Sequence, residues 1–159
     1  MTYQDVEFED PLENYDPKVY GESLERALAE ETVARIRHRP HTAVSQDMAA
    51  VEAIKKLAEG HVACLIVHDG NNKLAGVFTD RDVLNAVARG DDFSKKSVGD
   101  LMTESPQHVY TTDPAAAALS VMAVSGHRHV PVLDVDETIV GIVSPQRVTA
   151  FLNRHFIND

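Results

Sequence analysis

Gly76-Val77-Phe78-Thr79 and Gly141-Ile142-Val143-Ser144 are one four-residue turn written twice, 65 positions apart, from 76 to 141. The repetition reaches well beyond the turn. The same shift lays Ala53-Ile54 on Ala118-Leu119, Leu57 on Met122, and Leu65-Ile66-Val67 on Val130-Pro131-Val132. It also lays Asp69 on Asp134 and Val83 on Val148; with one residue of slippage, Arg39-Pro40 and Asp47 fall on Ser105-Pro106 and Asp113. A duplication at this spacing means two copies of one supersecondary unit, which bury their apolar faces against each other. The copies differ at one telling position, Asp82 against Arg147.

Each copy has the same internal order. An extended stretch follows the proline (Thr42-Ala43-Val44; His108-Val109-Tyr110). An Asp-led helix is expected next, with Asp47 capping 48–59 and Asp113 preceding Pro114 at the first helical position. Two β-runs joined by a polar turn follow: 63–67 and 74–78 in the first copy, 129–133 and 139–143 in the second. The doubled turn then feeds a second helix, 81–88 ended by Gly90, or 145–153. Ser97-Val98-Gly99-Asp100 resembles a capping box with Asp in the acidic slot, and is expected to open a short helix that leads into copy two. The pattern is α+β, two β-α-β-β-α repeats.

The chain has 159 residues, enough for one domain that buries roughly 70% of its unfolded surface. The apolar run Val62–Val67 is far too short to span a bilayer, and the acidic start Met1-Thr2-Tyr3-Gln4-Asp5 lacks an apolar signal core. A cytoplasmic protein with no membrane partner is expected. Cys64, alone of its kind, reads as a buried small hydrophobe. Net charge is −10, concentrated at one end, where residues 1–31 hold ten acids against Lys18 and Arg26. Such a surface disfavours nucleic acid, whose affinity comes largely from neutralised phosphates. Residues 1–20, with Pro11 and Pro17, are expected to form an acidic N-terminal arm, either a solvated tail or a recruitment element. The remaining divisions are 21–92, an N-terminal helical segment with repeat 1, and 93–159, repeat 2. Leu24-x-x-x-Leu28 with Ala27, followed by Val33-x-x-Ile36, predicts two short helices meeting near Thr32.

From about residue 30 onward the chain resembles a stand-alone pair of cystathionine-β-synthase (CBS) domains. The residues that carry the resemblance are Thr32-Val33-x-x-Ile36, Val44-Ser45-x-Asp47, Ala53-Ile54-x-x-Leu57 and Gly76 through Leu84 in the first half. In the second half they are Asp100-Leu101-Met102-Thr103, His127 through Val132, and Gly141-Ile142-Val143-Ser144. The resemblance implies a pseudo-twofold tandem pair that homodimerises into a flat disc. It also implies clefts for an adenine nucleotide (AMP, ADP or ATP) or S-adenosylmethionine, and a regulatory role without catalysis.

The residues themselves support a phosphate and ribose site at one corner. Gly76 leaves room for a ligand to approach the backbone. Thr79 stands where strand becomes helix and can cap the helix while donating to a ligand; Asp80 follows it at the helix start, whose free N–H groups and dipole favour phosphate. Asp82 offers two acceptor oxygens to a vicinal diol. The same segment could equally be nothing more than a well-capped helix. In copy two Arg147 takes the acceptor's place, and a guanidinium has no acceptor, so that cleft is expected to have lost its nucleoside site. The resemblance suggests that Arg128 and His129, where copy one has Ala63 and Cys64, lie near the pseudo-dyad against phosphate. With strand residues Thr42 and Val44, the expected ligand-binding set is Thr42, Val44, Gly76, Thr79, Asp80, Asp82, Arg128 and His129. The eight histidines stand at no zinc-like spacing, so no metal is expected, and no nucleophile–base arrangement points to an enzyme. The function expected is a nucleotide sensor acting on a protein partner; the alternative is a ligand-free interaction scaffold working through its dimer faces and acidic arm.

Overall fold

The structure is a computed structural model that describes residues 23–37 and 41–156; the acidic arm lies outside the described residues. The chain opens with helix α1 (Ser23–Glu30) and a 3-10 turn at Val33–Arg35. The first repeat is β1 (Ala43–Ser45), α2 (Ala50–Gly60), β2 (Cys64–His68), β3 (Leu74–Thr79) and α3 (Asp80–Arg89). A two-residue strand β4 (Thr103–Glu104) follows. The second repeat is β5 (Val109–Tyr110), α4 (Ala115–Ser125), β6 (Val130–Leu133), β7 (Ile139–Val143) and α5 (Pro145–Phe156).

The strands form two sheets, β1-β2-β3-β4 and β5-β6-β7. In each, the first strand pairs parallel with the second and the second antiparallel with the third. Even the irregularities repeat: the register slips between Val67 and His68 in one sheet and between Val132 and Leu133 in the other. Strand β4 extends the first sheet, with Gly76 opposite Glu104 and Val77 opposite Thr103.

The apolar runs of β2 and β6 bury both faces, as continuous hydrophobic strands do. Leu65, Val67 and Phe78 turn toward Ala50, Ala53 and Leu57 of α2 and Ala86 of α3. Those three positions of α2 recur at helical spacing, so one stripe of the helix faces the sheet. Val130, Val132, Val143 and Phe151 pack in the same way with Ala115 and Ala118 of α4. The alternate residues Cys64, Ile66 and Val77 meet Leu133, Ile139 and Ile142 between the sheets, closing the two repeats on each other.

Two helix starts differ from expectation. Helix α2 begins at Ala50 with Ala49 as N-cap, and Asp47 lies in the preceding turn, its N–H on Ser45 Oγ at 3.2 Å. Pro114 is the N-cap of α4 and not its first helical residue, while Asp113 accepts from Tyr110 N at 2.7 Å. The reason is non-local. Ala50 N donates to Lys96 O at 2.9 Å, and Ala115 N donates to Glu31 O at 2.7 Å. Each helix start is thus satisfied by the backbone that leads into the other repeat. Two isolated bridges, Thr32 with Pro114 and Ala49 with Ser97, record the same exchange. Consequently α1, next to repeat 1 in sequence, packs on α4 and α5 of repeat 2. The second of the two predicted N-terminal helices is a single 3-10 turn, whose Val33 and Ile36 enter the second core. The capping box at Ser97 forms, with Ser97 N on Asp100 Oδ2 at 2.8 Å, but it closes one turn and no helix follows.

Candidate functional site

The corner at the end of β3 is held by reciprocal bonds. Thr79 is the N-cap of α3: its Oγ1 accepts from Asp82 N at 3.3 Å, and Asp82 Oδ2 accepts from Thr79 N at 2.8 Å. The Thr79 hydroxyl proton also goes to Asp82 Oδ2, at 2.6 Å, and Thr103 Oγ1 donates to Asp82 Oδ1 at 2.9 Å. Each carboxylate oxygen is therefore engaged inside the chain. What remains for a ligand is acceptor capacity, one lone pair on Thr79 Oγ1 and one on Asp82 Oδ1. The expected donation from Thr79 to a ligand does not survive, because the proton is already committed.

Two of the cavities at the junction of the repeats are lined by residues of the expected set. The smaller, about 80 Å³, is lined by Thr79, Asp80 and Arg81 from the corner and by Gly126 through His129 from the loop before β6. The larger, about 360 Å³, lies between Thr42 and the start of β2 on one side and Ser144, Pro145 and Gln146 on the other. Arg128, His129, Ala63 and Cys64 line both. The expected set is therefore divided. Thr79, Asp80, Arg128 and His129 come together at the smaller cavity, with Asp82 behind Thr79. Thr42 opens on the larger one.

Two members of the set are placed elsewhere. Val44 is 3% exposed in the first core, because alternation along β1 turns its side chain inward. Gly76 faces strand β4 and not a cleft: a Cβ there would stand 2.5 Å from Met102 Sδ and 2.7 Å from Thr103 O. Sequence reasoning missed Ser144, Gln146, His41 and His61 as cavity residues. The repeat offered a signal for Ser144, the counterpart of Thr79. His61 takes a left-handed conformation, φ 49°, as the C-cap of α2, which sequence does not announce for a histidine.

Burial lowers the pKa of His129 from its ordinary value, and the neighbouring Arg128 charge lowers it further, while Asp80 opposes them. His129 is thus a neutral donor or acceptor near pH 7. The Cys64 thiol is pushed up to about 12 by burial and by the negative charges of Asp82 and Asp80. It behaves as an inert part of the shared wall. Among the described residues, no group of three or more His, Cys, Asp or Glu is arranged to hold a metal ion, and no helix is long and apolar enough to cross a membrane.

The family model of the CBS domain matches residues 33–89 and 98–154, so the chain belongs to the CBS domain family and carries two copies of the domain. It is 32% identical over 111 residues to the CBS domain-containing protein CBSCBSPB1 of Arabidopsis thaliana, covering 69% of this chain. The match spans about a fifth, 20%, of that relative's length. Among solved structures it is similar to the CBS-pair protein CBSX2 from Arabidopsis thaliana, with a TM-score of 0.72 and 27% identity over 81% of this chain and 99% of that one. The structure of CBSX2 in complex with AMP gives a TM-score of 0.68 and 29% identity over 78% of this chain and 97% of that one.

Proposed function

We propose that the chain is a non-catalytic regulatory module that binds an adenine nucleotide or S-adenosylmethionine at the Thr79 corner and passes its occupancy to a protein partner. One observation carries the reading: Thr79, bonded to Asp82 behind it, lines one cavity together with the cation Arg128. Ribose hydroxyls would donate to Thr79 Oγ1 and Asp82 Oδ1, and phosphate would meet Arg128 and the imidazole of His129. At about 80 Å³ the cavity takes the ribose edge of a nucleotide. The AMP complex of CBSX2 supports this choice of ligand class. Occupancy can alter partner engagement only if the ligand prefers one arrangement of repeats or of chains. The reading includes pairing of two copies of the chain, for which the exposed Leu84 and Val87 of α3 offer apolar surface.

A ligand that binds only the folded state should stabilise it by about 2.7 kcal/mol at about a hundred times its dissociation constant. The test is a set of thermal melts with AMP, ADP, ATP and S-adenosylmethionine, each variant compared with its own ligand-free melt. The upshift should disappear in Asp82→Ala and persist in Arg147→Ala. If none of the four ligands moves the wild-type melt, the sensor reading is wrong.

A further inference from the structure

A third cavity, about 220 Å³, lies at the other end of β3 from the Thr79 corner and shares no lining residue with the two clefts. Five residues of strand, roughly 17 Å, separate Leu74 on its wall from Thr79. It is bounded by the start of β3, the crossover from β4 to β5, and the turn between β6 and β7. The two hairpin turns are tied together there. Lys73 forms a bridge with Thr138, Ile139 N donates to Asn72 O at 3.3 Å, and Lys73 Nζ donates to Asp136 O. This union sets a cation and a carboxylate, Lys73 and Glu137, on one cavity. They do not pair with each other, and neither enters an ion pair among the described residues.

Two residues of the lining hold backbone conformations that their types disfavour. Glu137 is left-handed, φ 64°, at the position where the first copy has Asn72, φ 59°. Asparagine is at home in that region and glutamate is not, so the geometry of the turn does not account for Glu137. Ser105 is left-handed as well, φ 45°, directly before Pro106, whose ring favours an extended predecessor. What the two residues share is the cavity, and strained backbone gathers where side chains are held for a ligand.

The rest of the lining completes a pattern. His108 Nδ1 lies 3.3 Å from Pro106 O, which can only accept, so Nδ1 carries the proton and Nε2 of the neutral ring is left as an acceptor. Lys73 has two further protons beyond the one directed at Asp136 O, and Ser105 brings a hydroxyl. Leu74, Pro106 and Leu133 supply apolar surface. An ammonium with a hydroxyl recognises a carboxylate; a carboxylate with an imidazole acceptor recognises an ammonium. One small molecule carries both charges and a hydrocarbon side chain, a free α-amino acid. The volume agrees, since about 220 Å³ falls below the roughly 300–1,000 Å³ of sites that hold drug-sized ligands.

We infer that this cavity binds a free aliphatic α-amino acid, its carboxylate on Lys73 and Ser105 and its ammonium on Glu137 and His108. The site does not rest on the nucleotide reading. It is built once, because the counterparts of Lys73 and Glu137 in the other copy are Thr138 and Asn72.

The experiment follows backbone amide chemical shifts of the full chain during titration with L-leucine. Leucine should move the amides of Leu74, Ser105 and Glu137 and leave those of Thr79 and Arg128 in place. Isocaproate, which lacks the ammonium, and isoamylamine, which lacks the carboxylate, should each bind at least about tenfold more weakly, since each leaves one charged partner unmet. Glu137→Asn installs the first copy's residue and suits the left-handed turn, so that variant should melt at least as high as wild type. It should nonetheless lose about tenfold or more in affinity for leucine, as should Lys73→Gln, which keeps a donor for Asp136 O without the charge. Absence of shifts with L-leucine, or shifts centred on Thr79 and Arg128, overturns the site. Equal binding of either analogue, or undiminished binding by Glu137→Asn, overturns the recognition of both charges.

Discussion

Gly76→Ala separates packing from ligand approach as the reason for a glycine in the doubled turn. In the structure a methyl group at position 76 would stand 2.5 Å from Met102 Sδ and 2.7 Å from Thr103 O. The thioether can swing aside, but the carbonyl belongs to β4 and moves only if the strand moves. Ordinary van der Waals separation requires a retreat of roughly half an ångström or more, which strains the pairing of Gly76 with Glu104 and Val77 with Thr103. It also strains the bond from Ser105 N to Ala75 O, now 3.1 Å. Overpacking costs about 1–3 kcal/mol and each weakened hydrogen bond up to about 1 kcal/mol, so a loss of about 3 kcal/mol is expected. For a chain of this size that corresponds to a fall in Tm of roughly 6–12 °C. Calorimetry without ligand reads it directly. Truncating Met102 to alanine in the same chain should restore little, because the backbone contact remains. A Gly76→Ala protein that melts within a degree of wild type refutes the packing argument and returns Gly76 to the ligand.

Two further predictions concern the shared wall. With its pKa near 12, the Cys64 thiol is ionised in roughly one molecule in ten thousand at pH 8, so a thiol reagent should label the native chain far more slowly than the urea-unfolded one; equal rates would disprove its burial. The folded state keeps Cys64 protonated, so that contribution to stability is complete below the unfolded thiol's pKa and is lost as pH rises toward 12. For His129 the sign is opposite: burial and Arg128 depress its pKa, so its contribution is present above about pH 6.5 and is lost as pH falls through the lower folded value. NMR titration of His129 in Arg128→Gln should show its pKa rising toward the ordinary value, and an unchanged midpoint would show that Arg128 does not act on it.

Much of the architecture is legible in the 65-residue shift, because hydrophobic alternation and turn chemistry are local properties that duplication copies faithfully. The paired strands, the two helices per repeat, and even the matched slips after Val67 and Val132 follow it. The helix starts at Ala50 and Ala115 were not legible from Asp47 and Pro114, because their N–H groups are satisfied by carbonyls of Lys96 and Glu31, distant in sequence. The site was legible in part. Thr79 is recognisable as a cap, but the commitment of its proton depends on Thr103 and Asp82 converging from different elements. Thr42 reads as a strand residue of the ligand-binding set, yet it lies just before β1 and lines the larger cavity with Ser144, the corner residue of the second copy. Gly76 and Val44 carry residue types that suit a cleft or a core equally well, and only the position of β4 and the facing of β1 decide.

The exchange of leading segments has a consequence for the ancestry of the chain. A single copy of this unit, standing alone, would expose the start of its first helix and the apolar patch that Val33 and Ile36, or Val98 and Leu101, now fill. Two such copies could satisfy each other only by trading those segments, as the halves of a domain-swapped dimer do. The present chain reads as that dimer with its two members joined end to end. A joined chain permits what a symmetric dimer does not, an unequal wall between its members, here Ala63-Cys64 on one side and Arg128-His129 on the other.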